Sequence, residues 1–164
     1  MATNNIEIAW DATPAAFTTT NLESLTAGYV WHSGLIEDAS PSSEWVRISF
    51  ALVSDSALSL GESFVFRLSQ GDGAASGEIW SGGLGTSEGV ISTAGPAMAV
   101  QANCPIVHEV AFRTNLATDG YEGVFDIYSP GPRWQLLIWA QGEGLTTGNV
   151  LRYRYGTSQI QAGV

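Results

Sequence analysis

The clearest signal along the chain is alternation with a period of two. Between Glu44 and Val53, Val46, Ile48, Phe50 and Leu52 fall on one side while Trp45, Arg47 and Ser49 fall on the other. Successive side chains of an extended chain point to opposite faces, so this pattern predicts a half-buried strand. The same reading gives eight to nine strands. A first sets Ile6, Ile8 and Trp10 against Glu7 and Ala9, and an irregular second runs from Tyr29 to Ile36 around Gly34. Phe64, Phe66 and Leu68 face inward from a fourth, with Arg67 and Ser69 outward, and Met98 to Gln101 is a short candidate. Ile106 to Thr114 sets Val110 and Phe112 against Glu109, Ala111 and Arg113. Val124 to Tyr128 follows a turn at Asp119-Gly120. Arg133 to Ala140 aligns Trp134, Leu136 and Ile138, and Val150 to Tyr155 sets Leu151, Tyr153 and Tyr155 against Arg152 and Arg154.

No apolar stripe of helical period has useful length, and the best helical stretch, Thr19 to Thr26, reads as a turn or a loop. Turn residues recur every dozen or so positions, as in an all-β sandwich or barrel. The expected fold is therefore all-β, a two-sheet antiparallel β-sandwich. Long connections such as Gly71 to Gly95 favour a jelly-roll-like topology over a meander, with an immunoglobulin-type sandwich as the alternative. Val46, Ile48, Phe50, Phe64, Phe66, Val110, Phe112, Leu136 and Ile138 are the expected core. At this length one domain is expected, over residues 11–164, preceded by an N-terminal arm or first strand at residues 1–10. The Gly/Ser-rich Gly71 to Gly95 connection is expected to be the most exposed and adaptable part, since a loop that long inside a compact domain is usually functional or mobile.

Composition removes several function classes. The chain has six arginines, no lysine and a formal charge of −10, so it offers no basic patch to release phosphate counterions. Neither a nucleic-acid partner nor an anionic membrane is expected. No apolar run approaches 18 residues, and the first residues have neither the positive nor the apolar region of a secretory signal; synthesis in a cytoplasm is expected. Cys104 is the single cysteine and reads as a small buried hydrophobe.

Catalytic chemistry finds no foothold. His108-Glu109 lacks the second histidine of a zinc-protease helix, and His32, Cys104 and His108 are too few for a structural zinc site without a carboxylate. Glu37-Asp38 and Asp72 lack the spacing of a calcium loop, and no nucleophile elbow or phosphate-binding loop occurs. No enzyme activity and no cofactor are expected. Trp31, Trp45, Trp80 and Trp139 are candidates for exposed rings, which serve protein contacts or stack on sugars.

The segment Leu25-Thr26-Ala27-Gly28-Tyr29-Val30-Trp31-His32-Ser33-Gly34-Leu35-Ile36-Glu37-Asp38, followed by the strand at Val46 to Val53, resembles the start of small virion proteins of tailed bacteriophages. Pro132-Arg133-Trp134-Gln135-Leu136-Leu137-Ile138-Trp139 is similar to that family's Pro-x-Trp-x-Leu strand, and a polar turn at Gln141 to Asn149 and a Tyr-containing strand follow in order. The likeness spans about Leu22 to Ser158; Gln141-Gly142-Glu143-Gly144 departs from it by being more Gly-rich and acidic. The resemblance implies a jelly-roll-like fold and a place on the phage particle. The expectation is a nonenzymatic capsid cement or decoration protein on the outer virion surface. It would bind the major capsid protein and self-associate as a dimer or trimer. A tail or fibre component, or a carbohydrate-binding module for host attachment, is the alternative. The expected contact residues are Ile6, Ile8, Trp10, Trp31, Trp45, Arg47 and Trp80, since Trp and Arg concentrate binding energy at interfaces. Ala2 to Ile8 is expected to pair onto a neighbour's sheet edge.

Overall fold

The computed structural model describes residues 5–38, 43–71, 86–92, 100, 102–111 and 120–161. Trp80, Phe112 and most of the Gly71 to Gly95 connection lie outside them. The chain forms two antiparallel sheets. One contains β1 (Asn5–Trp10), β11 (Val150–Gln161), β5 (Trp45–Val53) and β9 (Gly120–Tyr128) in that order, with the short β2 (Ala15–Ala16) also on β11. The other runs β7 (Gly89–Ile91), β3 (Val30–His32), β10 (Arg133–Gln141), β6 (Ser63–Gly71) and β8 (Ile106–Ala111), with β4 (Ile36–Glu37) on β10. Among the principal strands, the first, last, third and sixth share one sheet, and the second, seventh, fourth and fifth share the other. This interleaving is the double Greek key of a jelly roll.

Alternation explains where the core sits. Val46, Ile48, Phe50 and Leu52 of β5 face Phe64, Phe66 and Leu68 of β6 and Trp134, Leu136 and Ile138 of β10, all of them buried in one cluster. Val110 packs partly buried against it. Phe50, Phe66 and Phe125 form an aromatic nest at one end, and His108 stacks on Phe125 with ring centroids 4.6 Å apart and an 11° interplanar angle.

Three expectations change. Arg67 and Ser69 do point away from the inter-sheet core, but they are 9% and 0% exposed. A second cluster of Val30, Val100, Cys104 and Leu137 covers that side of the sheet, and the Arg67 guanidinium donates to the Cys104 carbonyl at 2.6 Å. Val100 is helical, not extended: the Cys104 N–H reaches the Val100 carbonyl at 2.9 Å, and this four-residue spacing turns both side chains onto Val30 and Leu137. The end of the Gly71 to Gly95 connection is not a free loop either, since β7 pairs with β3 from Val30–Ile91 to His32–Gly89. Thr19 to Thr26 contains a single 3₁₀ turn, Leu22–Ser24, that buries Leu22.

Burial lowers the pKa of His108, because the charged imidazolium is poorly solvated among aromatic rings. Burial also lowers His32, against the raising effects of the Ser33 carbonyl and Glu88. Both rings are thus held neutral in the fold and take up protons more readily when it opens. Their contribution is present above the ordinary histidine pKa of 6.5 and is lost as pH falls through the depressed folded values. Thermal melts should therefore show Tm falling as pH drops below that value, and His108→Phe should flatten part of the slope. An unchanged slope in that variant would remove His108 from the account.

Candidate functional site

The outer face of the first sheet brings five of the seven expected contact residues together. Antiparallel partners share a face, so the pairing can be read in rows. Tyr128, Trp45, Gly156 and Trp10 form one row across β9, β5, β11 and β1. Asp126, Arg47 and Arg154 form the next, and Val124, Ser49 and Arg152 the one after. Ile8 and Ile6 continue along β1 beyond Trp10, and Ile8 pairs with Ser158.

The side chains in these rows hold one another. The Trp45 and Tyr128 rings lie 4.8 Å apart, and Trp45 Nε1 donates to Ser158 Oγ at 3.3 Å. Arg47 makes a bidentate pair with Asp126, Nε to Oδ1 at 2.7 Å and the terminal nitrogen to Oδ2 at 2.8 Å. Its guanidinium carbon also lies 4.2 Å from the Trp10 ring centroid, and that of Arg154 lies 5.7 Å away. Donation of these hydrogen bonds to the Asp126 carboxylate raises the pKa of Arg47 above its ordinary value. A planar, forked guanidinium binds both carboxylate oxygens while lying over the ring, a combination that a lysine ammonium cannot reproduce.

Gly156 is what lets β1 lie flat here. A Cβ at that position would stand 2.7 Å from both Ile8 Cγ2 and Trp10 Cε3. The missing side chain leaves a gap of about 10 Å between the β5 and β1 positions, spanning two strand spacings, and the Trp10 ring occupies it.

The surface is also apolar. Ile6, Val124, Tyr128 and Val150, exposed by 74%, 58%, 64% and 42%, are four of the seven large apolar side chains most open to solvent among the described residues, and all belong to this face. A shallow depression of about 240 Å³ lies on it between Ser49, Ala51, Glu122, Val150 and Arg152. Ile6, Ile8, Trp10, Trp45 and Arg47 thus converge. Trp31 does not: it is fully buried, packs edge-on to Phe17 at 6.4 Å, and donates from Nε1 to Glu88 at 2.8 Å. It belongs to the core because all three residues of β3 are enclosed, so alternation gave no warning. Trp139, also expected to be exposed, is partly buried against the second cluster.

Sequence reasoning did not single out Arg152, Arg154, Tyr128 or Gly156 as site residues. Their positions opposite inward-facing apolar residues on β9 and β11 were the available signal. Glu37 is held by Arg133 at 3.0 Å, and no group of three His, Cys, Asp or Glu among the described residues is arranged to hold a metal ion. Another shallow cavity, of about 310 Å³, is lined by Asp38, Ser43, Ser129, Gly131 and Pro132. No helix among the described residues is long and apolar enough to cross a membrane. No protein-family model matches the chain, and no curated protein matches it.

Gly156→Ala should push Ile8 and Trp10 off the sheet, costing about 1–3 kcal/mol in denaturant unfolding, the range for overpacking a close contact. Tryptophan emission of the folded variant should shift to the red as Trp10 gains water. Wild-type stability and emission would show that β1 does not rest on this glycine.

Proposed function

We propose that this protein is a nonenzymatic component of a tailed-phage particle, a cement or decoration protein on the outer capsid surface that binds the major capsid protein. The observation that carries this reading is the gathering of Ile6, Ile8, Trp10, Trp45 and Arg47 on one aromatic and arginine-bearing sheet face. Open surfaces bearing Trp, Tyr and Arg suit protein partners, whereas small substrates need enclosing pockets. The jelly-roll topology agrees with the resemblance to small phage virion proteins. An acidic exterior suits the outside of a shell whose packaged DNA lies on the other side.

The element for shell contact is a two-stranded ribbon. Pairing of β11 with β5 ends at Gly156–Trp45, while residues 157–161 continue alongside β1. Ile6, Glu7, Ala9 and Gln159 of this ribbon are exposed. Two strands alone are marginal in water, so the ribbon gains stability from a third strand or an apolar surface. Residues 5–10 therefore reach a neighbour as a strand already registered on their own chain, not as a loose arm. The aromatic row Tyr128–Trp45 favours a second reading, attachment to host polysaccharide by ring stacking. Quenching of tryptophan fluorescence by that polysaccharide would support it.

Quantitative mass spectrometry of purified particles tests the location. A copy number commensurate with the major capsid protein supports the cement reading, and a few copies per particle moves the protein to the tail or a fibre. Absence from particles sinks the virion reading. Deletion of residues 2–9 should abolish co-sedimentation with shells while the circular dichroism spectrum stays that of a β-sandwich. Undiminished binding by the truncated protein would reject the ribbon as the contact.

A further inference from the structure

We infer that the outer face of the first sheet pairs with the same face of a second copy of this chain, about a two-fold axis parallel to β5. The inference rests on reading this face as a contact surface, and not on the virion setting. Charge is the first argument. The molecule carries a formal −10, so two copies repel over most approaches. The strand residues directed out of this face comprise Arg47, Arg152 and Arg154 against Glu122 and Asp126. The charges on this face nearly balance, three against two, so two such acidic molecules meet here with little local repulsion.

The arrangement of these charges is the second argument. The free cations and the acids are segregated on opposite sides of β5: Arg152 and Arg154 on β11, Glu122 and Asp126 on β9. A two-fold axis along β5 lays β11 of one copy over β9 of the other. Asp126, Arg47 and Arg154 share one cross-strand row, so Arg154 arrives over Asp126 of the second copy, and the reverse contact forms by symmetry. Arg152 and Arg154 make no ion pair among the described residues, and Arg154, which lies over the edge of the Trp10 site, keeps its donors for a carboxylate. Asp126 binds Arg47 through one edge, and its remaining lone pairs accept a second guanidinium. Arg47 meets its own image near the axis already neutralised by Asp126.

The apolar residues fit the same operation. Trp45 falls over Trp45 of the second copy, and Tyr128 over the Gly156 position, where it meets the Trp10 ring that lies across that glycine. Val124 falls over the aliphatic stem of Arg152. Sheets stacked this way keep their strands aligned to within about 30° and pack about 10 Å apart. The exposed aliphatic residues Val124 and Val150 favour a protein occupant, since neither stacks on a sugar nor bonds a hydroxyl.

Sedimentation equilibrium of the purified protein, without shells, tests the inference. The wild type should show a reversible dimer. Arg154→Glu should weaken it on the order of a hundredfold, since it places two like-charge pairs in the interface, and Asp126→Arg by at least as much, since it also strips Arg47 of its carboxylate partner. Arg154→Gln should give a smaller loss. An equimolar mixture of R154E and D126R, each verified as folded by circular dichroism, should dimerise again, because each copy then meets an opposite charge. Wild-type protein that remains monomeric at all concentrations would overturn the inference. So would variants that dimerise as the wild type does, or folded variants whose mixture stays monomeric. Failure of shell co-sedimentation alone bears on the cement reading and leaves the dimer standing.

Discussion

The first sheet depends on the register of β11. Its pairing with β5 on one side and with β1 and β2 on the other decides which residues share a face. Leu151, Tyr153 and Tyr155 turn inward onto the aromatic core, which fixes Arg152, Arg154 and Gly156 on the outside. A slip of one residue would bury two arginines and expose three large apolar side chains, so the register is strongly enforced. The outer face is thus set by the same alternation that builds the core. Trp10, Trp45 and Tyr128 align because each is paired, directly or through one neighbour, with a position on a strand whose inner side is committed.

Much of this architecture was legible in the sequence, because most strands bury one side and wet the other. β5 alternates without exception between buried and half-exposed residues, and its two faces were read correctly. β10 and β11 presented their inner residues equally plainly. Legibility failed where a strand is enclosed on both sides. The outward side of β6 carries Arg67 and Ser69, whose polarity suggests water. Burial of Arg67 is made possible by the carbonyl of Cys104, a contact between segments far apart in sequence. Trp31 gave no clue for the same reason, since Val30, Trp31 and His32 are all buried and the strand has no wet face to compare.

The candidate surface was half legible. Ile6, Ile8, Trp10, Trp45 and Arg47 were each recognisable as residues of a type that makes contacts. Their assembly was not, because it depends on β1 pairing with β11, at the other end of the sequence. Gly156 illustrates the difficulty. In the sequence it is a glycine within a strand of tyrosines and arginines. In the fold it is the position over which Trp10 and Ile8 lie, and through which Trp10 comes within reach of Arg47.

The partnership of β1 with β11 also has a consequence in time. As the chain leaves the ribosome, Ile6, Ile8 and Trp10 emerge early, while the strand that receives them is made only after β10. For most of synthesis β1 has no partner, and β5 lacks its neighbour on that side. Pairings between such distant segments close slowly, because the loop entropy is spent before any contact is gained. During that interval the nascent chain presents unpaired, aromatic-bearing strand edges, the kind of surface that recruits other chains. β1 carries a single charge, Glu7, and gives little protection of its own, so protection while the chain is being made falls to the acidic residues around it.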